Sequence, residues 1–235
     1  MKSHLQKDEW LTEMIETTSW KVDLGNADEL IPNIAQWEEP AFFFSKVATD
    51  RQNLVNKAIL KGFSLVTTEI TFACSLDRLK GPVDYVRPAE PGDKEATGKI
   101  ARKAFSHDRF HQDPMLRRHA DAIKQGWVDN YFGGTRGDAM LIYEKDDSIH
   151  GFLQILRRNE DVIIDLIAVD ESMRHCGVAS SLINGLGNIF PGSKRVVVGT
   201  QLTNVASMRL YSGRGFTPFK SNYVLHAHST KPNDV

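Results

Sequence analysis

Chemistry is most legible at Arg174 and the backbone of Gly177, Val178 and Ala179, in the run Arg174-His175-Cys176-Gly177-Val178-Ala179. An apolar strand, Val162–Val169, reads before this run. An amphipathic helix with Val178, Leu182, Leu186 and Ile189 on one side reads after it. A small-residue turn therefore hands a strand over to a helix N-terminus. The first N–H groups of a helix lack intrahelical partners, and the helix dipole adds partial positive charge, so such a turn suits a phosphate. Gly177 permits close backbone approach, Ala179 keeps the turn slim, and Arg174 adds a cation. Taken alone, the pattern is more often a packing turn beside a surface arginine. A second cluster follows the strand Arg195–Thr200: Asn204, Ser207 and Tyr211, then Gly215-Phe216. Asn204 suits a helix N-cap. Tyr211 lies two turns further along the same helix face, where the ordinary fate of a tyrosine is the core with its hydroxyl satisfied.

The two clusters, in this order and on these elements, resemble the acetyl-CoA site of the GNAT superfamily of N-acetyltransferases, over roughly Tyr85 to His226. The resemblance implies that Arg174, Gly177, Val178 and Ala179 hold a pyrophosphate. It implies that the backbone of Leu166, Ile167, Ala168 and Val169 pairs with the pantetheine arm as a short extra strand would. Asn204 and Ser207 are then polar contacts to the cofactor. Tyr211 becomes the group that donates a hydrogen bond, or its proton, to the departing thiolate. A narrower similarity joins Thr200-Gln201-Leu202-Thr203-Asn204, Gly62-Phe63-Ser64-Leu65-Val66, Ala104-Phe105 and Arg109-Phe110 to the bacterial dTDP-fucosamine N-acetyltransferase family. Those enzymes acetylate the 4-amino group of a nucleotide-linked deoxysugar. The implied reaction is direct attack of a neutral amine on the thioester in a ternary complex, with acetyl-CoA as cosubstrate. An amino acid, a polyamine or a protein N-terminus is the rival acceptor. A non-catalytic CoA-binding module is the rival from another class, against which an intact Tyr211 speaks.

The segment from Phe105 to Pro114 holds three charges, two histidines and two aromatics between two expected helices. Phe105 and Phe110 are candidates to stack on the acceptor, and Arg109 to fork a diphosphate. His107 joins them as an acceptor-side residue. Asp113 reads as an N-cap, and the plain alternative for the whole segment is a solvated connection. His107 and His111 have zinc-like spacing but no third ligand, so no metal is expected. Asp165, the one acid inside an apolar strand, is expected to face the polar side of the sheet. The general base is open among a water chain, His107 and Asp165.

Bulk properties exclude other classes. The chain has 235 residues, 41% of them hydrophobic, and a net charge of −1. Nothing in that balance favours nucleic acid or an acidic membrane. Cys74 and Cys176 offer neither a disulfide framework nor a metal spacing, and reduced thiols are expected. The stretch Met1–Glu9 lacks the apolar core of a secretory signal, and no apolar run nears the ~20 residues of a spanning helix. A cytoplasmic location is therefore expected, with a small-molecule acceptor amine as partner and a homodimer left open.

The elements that must position these residues read as an α/β (α+β) chain: a mixed, mostly antiparallel twisted sheet, splayed at the cofactor site, plus a small N-terminal α/β unit. Residues 1–80 form that unit, with a helix expected over 5–18, a second helix through Leu54, Ala58 and Leu60, and a strand Phe63–Ala73. Helix, Gly-Phe and strand recur at the C-terminal end. A polar linker, Asp77–Pro82, leads into residues 83–235. There, helices through Ile100 and Trp127 precede three strands joined by hairpin turns.

Overall fold

The computed structural model describes residues 4–24, 31–190 and 192–230. The elements run β1 (Leu5–Lys7), α1 (Glu9–Ile15), β2 (Thr18–Val22), β3 (Ala41–Ala48), α2 (Gln52–Leu60), β4 (Ser64–Ser75) and β5 (Val86–Pro88). They continue through α3 (Lys94–Ala104), α4 (Arg109–Gln112), α5 (Arg117–Phe132), β6 (Ala139–Lys145), β7 (Ser148–Arg158) and β8 (Asp161–Val169). The chain closes with α6 (Val178–Asn184), α7 (Leu186–Ile189), β9 (Arg195–Gln201), α8 (Val205–Gly213) and β10 (Thr217–Ser229).

The ten strands of the described residues form one sheet in the order β1-β2-β3-β10-β4-β9-β8-β7-β6-β5. Strands β6 to β8 make an antiparallel meander, as the hairpin turns require, and β5 pairs antiparallel with β6 after the intervening helices. At the β6–β7 turn, Asp146 and Asp147 both take positive φ (52° and 56°), the backbone of a tight two-residue hairpin whose twist matches its strands. Side chains alternate between two cores. On β6 and β7, Leu141, Tyr143, Leu153 and Ile155 face α6, α7 and α8. Met140, Ile142 and Phe152 face α3 and α5.

The stretch 1–80 does not sit beside the rest of the sheet; it is woven into it. β4 pairs antiparallel with both β9 and β10, and β10 pairs antiparallel with β3. Two strand–helix–strand units, β3-α2-β4 and β9-α8-β10, each leave a gap that a strand of the other fills. This is the structural meaning of the repeated helix, Gly-Phe, strand pattern. The helix expected over 5–18 is shorter. Leu5 belongs to β1, and helix α1 starts only after Asp8, whose carboxylate caps the Leu11 N–H at 2.9 Å. Glu16 in the left-handed region ends it, and Thr18 begins a strand parallel to β3. Pairing to a sheet edge outweighed helical periodicity there. Trp10, Trp20, Trp37 and Trp127 are each partly buried against the cores. Among the described residues, no helix is long and apolar enough to cross a membrane.

Candidate active site

Two facts about β8 create the site. The first is its pairing with β9, parallel from Asp161 opposite Arg195 to Ile164 opposite Val198, where it stops. Both strands continue, β8 to Val169 and β9 to Gln201. The sheet therefore splays, and one edge of Leu166, Ile167, Ala168 and Val169 faces a gap, while the other edge stays paired to β7. A strand edge with free N–H and C=O groups is a template for an extended, amide-bearing ligand.

The second fact is a β-bulge. Gln154 opposes Leu166 but Ile155 opposes Ile164, so Asp165 is the extra residue. The bulge flips the strand's alternation. Before it, Val162 and Ile164 pack toward α6 and α8; beyond it, Leu166 and Ala168 pack toward α3 and α5. Asp165 itself is held by Arg136 through two hydrogen bonds of 2.7 and 2.6 Å, and by Gln154 at 3.1 Å. It is thus a paired carboxylate at the apex of the splay rather than a solvated acid.

Both splayed strands end in turns that start helices at the same end of the sheet. After β8, Gly177 occupies the left-handed region (φ 83°) as N-cap of α6, a conformation that costs a side-chain-bearing residue far more. Arg174, His175, Cys176 and Gly177 are exposed, while Val178 is 1% exposed and anchors the turn. The Val178 side chain approaches Gly151 of β7 so closely that a Cβ there would lie 2.9 Å from it. After β9, the Asn204 carboxamide oxygen accepts from the Ser207 N–H at 3.1 Å, the N-cap that its residue type suggests. Its amide N–H groups make no hydrogen bond among the described residues.

Tyr211 is 2% exposed, with ring centroids 5.9 Å from Phe72 and 5.7 Å from Phe216. Burial pushes its phenol well above the ordinary tyrosine range, against a hydrogen bond with Ser207. At neutral pH it is therefore a donor that keeps its proton until an anion forms beside it. Ser207 points at Tyr211, so its contact to a cofactor would run through that pair.

The segment 105–114 is not a solvated connection. Asp108 caps α4 by accepting from the Phe110 N–H at 2.9 Å. Phe110 is 1% exposed and packs with Leu11, Phe42 and Ile123. It serves as a shelf for Arg109 and has no face to offer an acceptor; a fully buried ring cannot stack on a ligand without unpacking the core. Arg109 lies between Phe44 and Phe110, its guanidinium carbon 4.3 Å from each ring centroid. Burial pulls it down to about 10, so it remains a cation. His107 is exposed, and its carbonyl accepts from Gln112. Phe105 is half-buried under the Lys124 ammonium, 5.0 Å from its ring. Gln112 donates to Thr203 Oγ1 at 3.2 Å, which ties α4 to the turn between β9 and α8.

Sequence reasoning missed the groups that fix Arg109. Its Nη1 lies 3.3 Å from His226 Nε2, while His226 Nδ1 lies 2.7 Å and His228 Nε2 2.8 Å from Asp113 Oδ2. Burial pushes His226 down to about 4, so the ring is neutral. Because Arg109 can only donate, Nε2 accepts and the ring proton sits on Nδ1, aimed at Asp113. Asp113 also caps the Met115 N–H at 3.0 Å. Burial would raise its carboxyl, but the two histidines hold it well below the usual carboxylate range. The three side chains place metal-ligand atoms within 4.8 Å of one another. Yet an arginine at the far nitrogen of His226 is the wrong outer partner for a metal ligand, which normally donates there. The cluster is an anchor for Arg109. Lys124 was missed as well: it is 4% exposed, 4.1 Å over Trp127, and its nearest carboxylate oxygen, on Asp108, is 3.9 Å away. Burial pulls it down to about 8. A lysine at helical spacing from Ala120 and Val128 was the available signal for a buried cation.

Residues 100–216 match the family model described as Acetyltransferase (GNAT) family. A curated relative, the spore coat polysaccharide biosynthesis protein SpsD of Bacillus subtilis (strain 168), is 37% identical over 148 residues, which is 62% of this chain. The chain spans about half the length of that relative (51%). The fold is similar to a functionally unknown conserved protein from Staphylococcus epidermidis (TM-score 0.63, 15% identity, 91% of this chain and 85% of that one). It is also similar to a GCN5-related N-acetyltransferase from Sphaerobacter thermophilus (TM-score 0.57, 15% identity, 84% and 63%). The splayed strands, their two helix-starting turns and the family match agree: residues 100–216 carry a GNAT acetyltransferase domain.

Proposed function

We propose that the protein is an acetyl-CoA-dependent N-acetyltransferase whose acceptor is the amine of a nucleotide-linked amino sugar. The observation that carries acetyl transfer is the end of β8–β9 pairing at Ile164 and Val198. It leaves the backbone edge of Leu166–Val169 open beside the exposed Arg174–Gly177 turn, a fit to a pantetheine arm with a pyrophosphate behind it. The cosubstrate supplies an acetyl thioester. The chain's own residues do the rest: Arg174 and the Gly177–Ala179 backbone bind phosphate, the β8 edge and Asn204 orient the arm, and Tyr211 protonates the departing sulfur. Its phenol is protonated at neutral pH and gives up the proton only as negative charge grows on sulfur in the transition state.

The acceptor class is supported by charge and by the relative. Half-buried Arg109 and buried Lys124 are two cations without a hydrogen-bonded carboxylate among the described residues, on the side of the sheet opposite the phosphate turn. Aromatic rings back both of them. An anionic acceptor fits such a lining; a polycationic one does not. A relative in spore coat polysaccharide biosynthesis points the same way. A thiol-release screen with acetyl-CoA over dTDP- and UDP-amino sugars, amino acids and polyamines tests the proposal. Turnover with a nucleotide amino sugar is expected. Turnover only with polyamines overturns the acceptor assignment, and absence of acetyl-CoA binding by calorimetry overturns the whole reading.

A further inference from the structure

The sheet face opposite the phosphate turn holds a window at Gly199. Val196 and Val198 of β9 point toward α6 and α8, so Gly199 presents its missing side chain to the other face, where it is exposed. This is the first residue of β9 beyond the pairing with β8. The window therefore opens at the apex of the splay, where the acetyl end of the cosubstrate belongs on the reading above. Glycine in a strand interior weakens it and often marks a close approach by something else. Beside Gly199 stands Glu69 of β4, in ordinary contact range and without crowding it. A Cβ built on Gly199 would meet the Glu69 carboxyl carbon at 3.7 Å and one of its oxygens, Oε2, at 3.9 Å. Glu69 lies one strand over, in register with Gln201.

The charges around Glu69 are few. Lys46 reaches across from β3 and donates to Oε2 at 2.5 Å; the other oxygen makes no hydrogen bond among the described residues. Arg109 of α4 faces it at longer range, with Asp8, Asp108 and Asp113 around that arginine. The Glu69 side chain keeps 17% of its exposure, against 11% for Asp165, whose two oxygens are both occupied by Arg136. At the apex, then, Asp165 is spoken for and Glu69 has an oxygen to spare.

We infer that Glu69, supplied by the stretch outside the family match, is the catalytic base that receives the acceptor's ammonium at the Gly199 window. The inference rests on the acetyl-transfer reading and extends it to the acceptor side. An aliphatic amine is mostly protonated at neutral pH and cannot attack until it loses a proton. The carboxylate of Glu69 takes one proton from the ammonium, and the freed lone pair forms the C–N bond to the acetyl carbon. The C–S bond breaks, and sulfur takes the proton of Tyr211. The second nitrogen proton returns to Tyr211 through water, and Glu69 releases its own to solvent. The products are an amide, a thiol and one proton.

The test compares Glu69→Gln, Glu69→Asp and Lys46→Met with wild type, using acetyl-CoA and a dTDP-linked 4-amino-4,6-dideoxyhexose. Glu69→Gln should lower turnover about 10²–10⁴-fold, the usual worth of a positioned base, with acetyl-CoA affinity and melting temperature near wild type. Its kcat/KM should climb about tenfold per pH unit as free amine accumulates, whereas wild type should stay flat between about pH 6 and 8. Glu69→Asp should recover part of the loss. Lys46→Met removes the same ion pair and keeps the carboxylate, so it should remain active. Equal losses in Glu69→Gln and Lys46→Met would overturn the base in favour of a structural ion pair, as would a Glu69→Gln profile parallel to wild type. No thiol release by wild type with any amine would overturn acetyl transfer itself, and the base with it.

Discussion

Acid should destabilise this protein through His226. The ring is 1% exposed, and burial, reinforced by Arg109, pushes it from 6.5 to about 4, against the pull of Asp113. Between those values the unfolded chain binds a proton that the folded chain refuses. Stability is therefore fully present above about pH 6.5 and falls as pH drops toward 4. At about 1.4 kcal/mol per unit, the loss from this one residue approaches roughly 3 kcal/mol, a large share of the ~5–15 kcal/mol that holds a domain together. Asp113, held low, adds its own loss only at more acidic pH. The perturbation is His226→Gln, which can still donate to Asp113 but cannot titrate. Urea unfolding of both proteins should be followed from about pH 7.5 to 4.5. Wild type should be the more stable at the upper end, and its advantage should shrink by roughly 2–3 kcal/mol by the lower end. A stability difference between the two that stays constant over the whole range would refute the argument, because the ring would then titrate alike folded and unfolded.

Two further outcomes follow from the site and the sheet. Tyr211→Phe removes one hydroxyl and keeps the ring between Phe72 and Phe216. Turnover should fall about 10²–10⁴-fold with little change in Michaelis constants, measured by single-turnover thiol release; an unchanged chemical step would return Tyr211 to the core. Residues 83–235 expressed alone should show no cooperative thermal transition, because β10 loses both its neighbours and β9 loses β4. A sharp calorimetric transition from that fragment would show that the second unit folds by itself.

Local features were legible in the chain. The Gly177 turn, the Asn204 cap, the β6–β7–β8 hairpins and the alternating strand faces all follow from short-range rules about φ, capping and pleat. Those rules need only neighbouring residues. What escaped depends on residues far apart in sequence. Helical periodicity over 5–18 lost to a sheet edge that another segment provides. The 105–114 segment, polar by composition, was drawn into the core because Asp113 meets His226 and His228 from β10, more than a hundred positions away. The sequence by itself determined that a glycine turn and an asparagine cap would start two helices after two strands, with Tyr211 two turns along the second. Only the tertiary structure decided that the strands part at Ile164 and Val198, that Arg109 is clamped by a neutral histidine, and that Glu69 of the first eighty residues overlooks Gly199. Charge burial, tautomer choice and strand insertion are set by which surfaces meet, and no local pattern encodes that meeting.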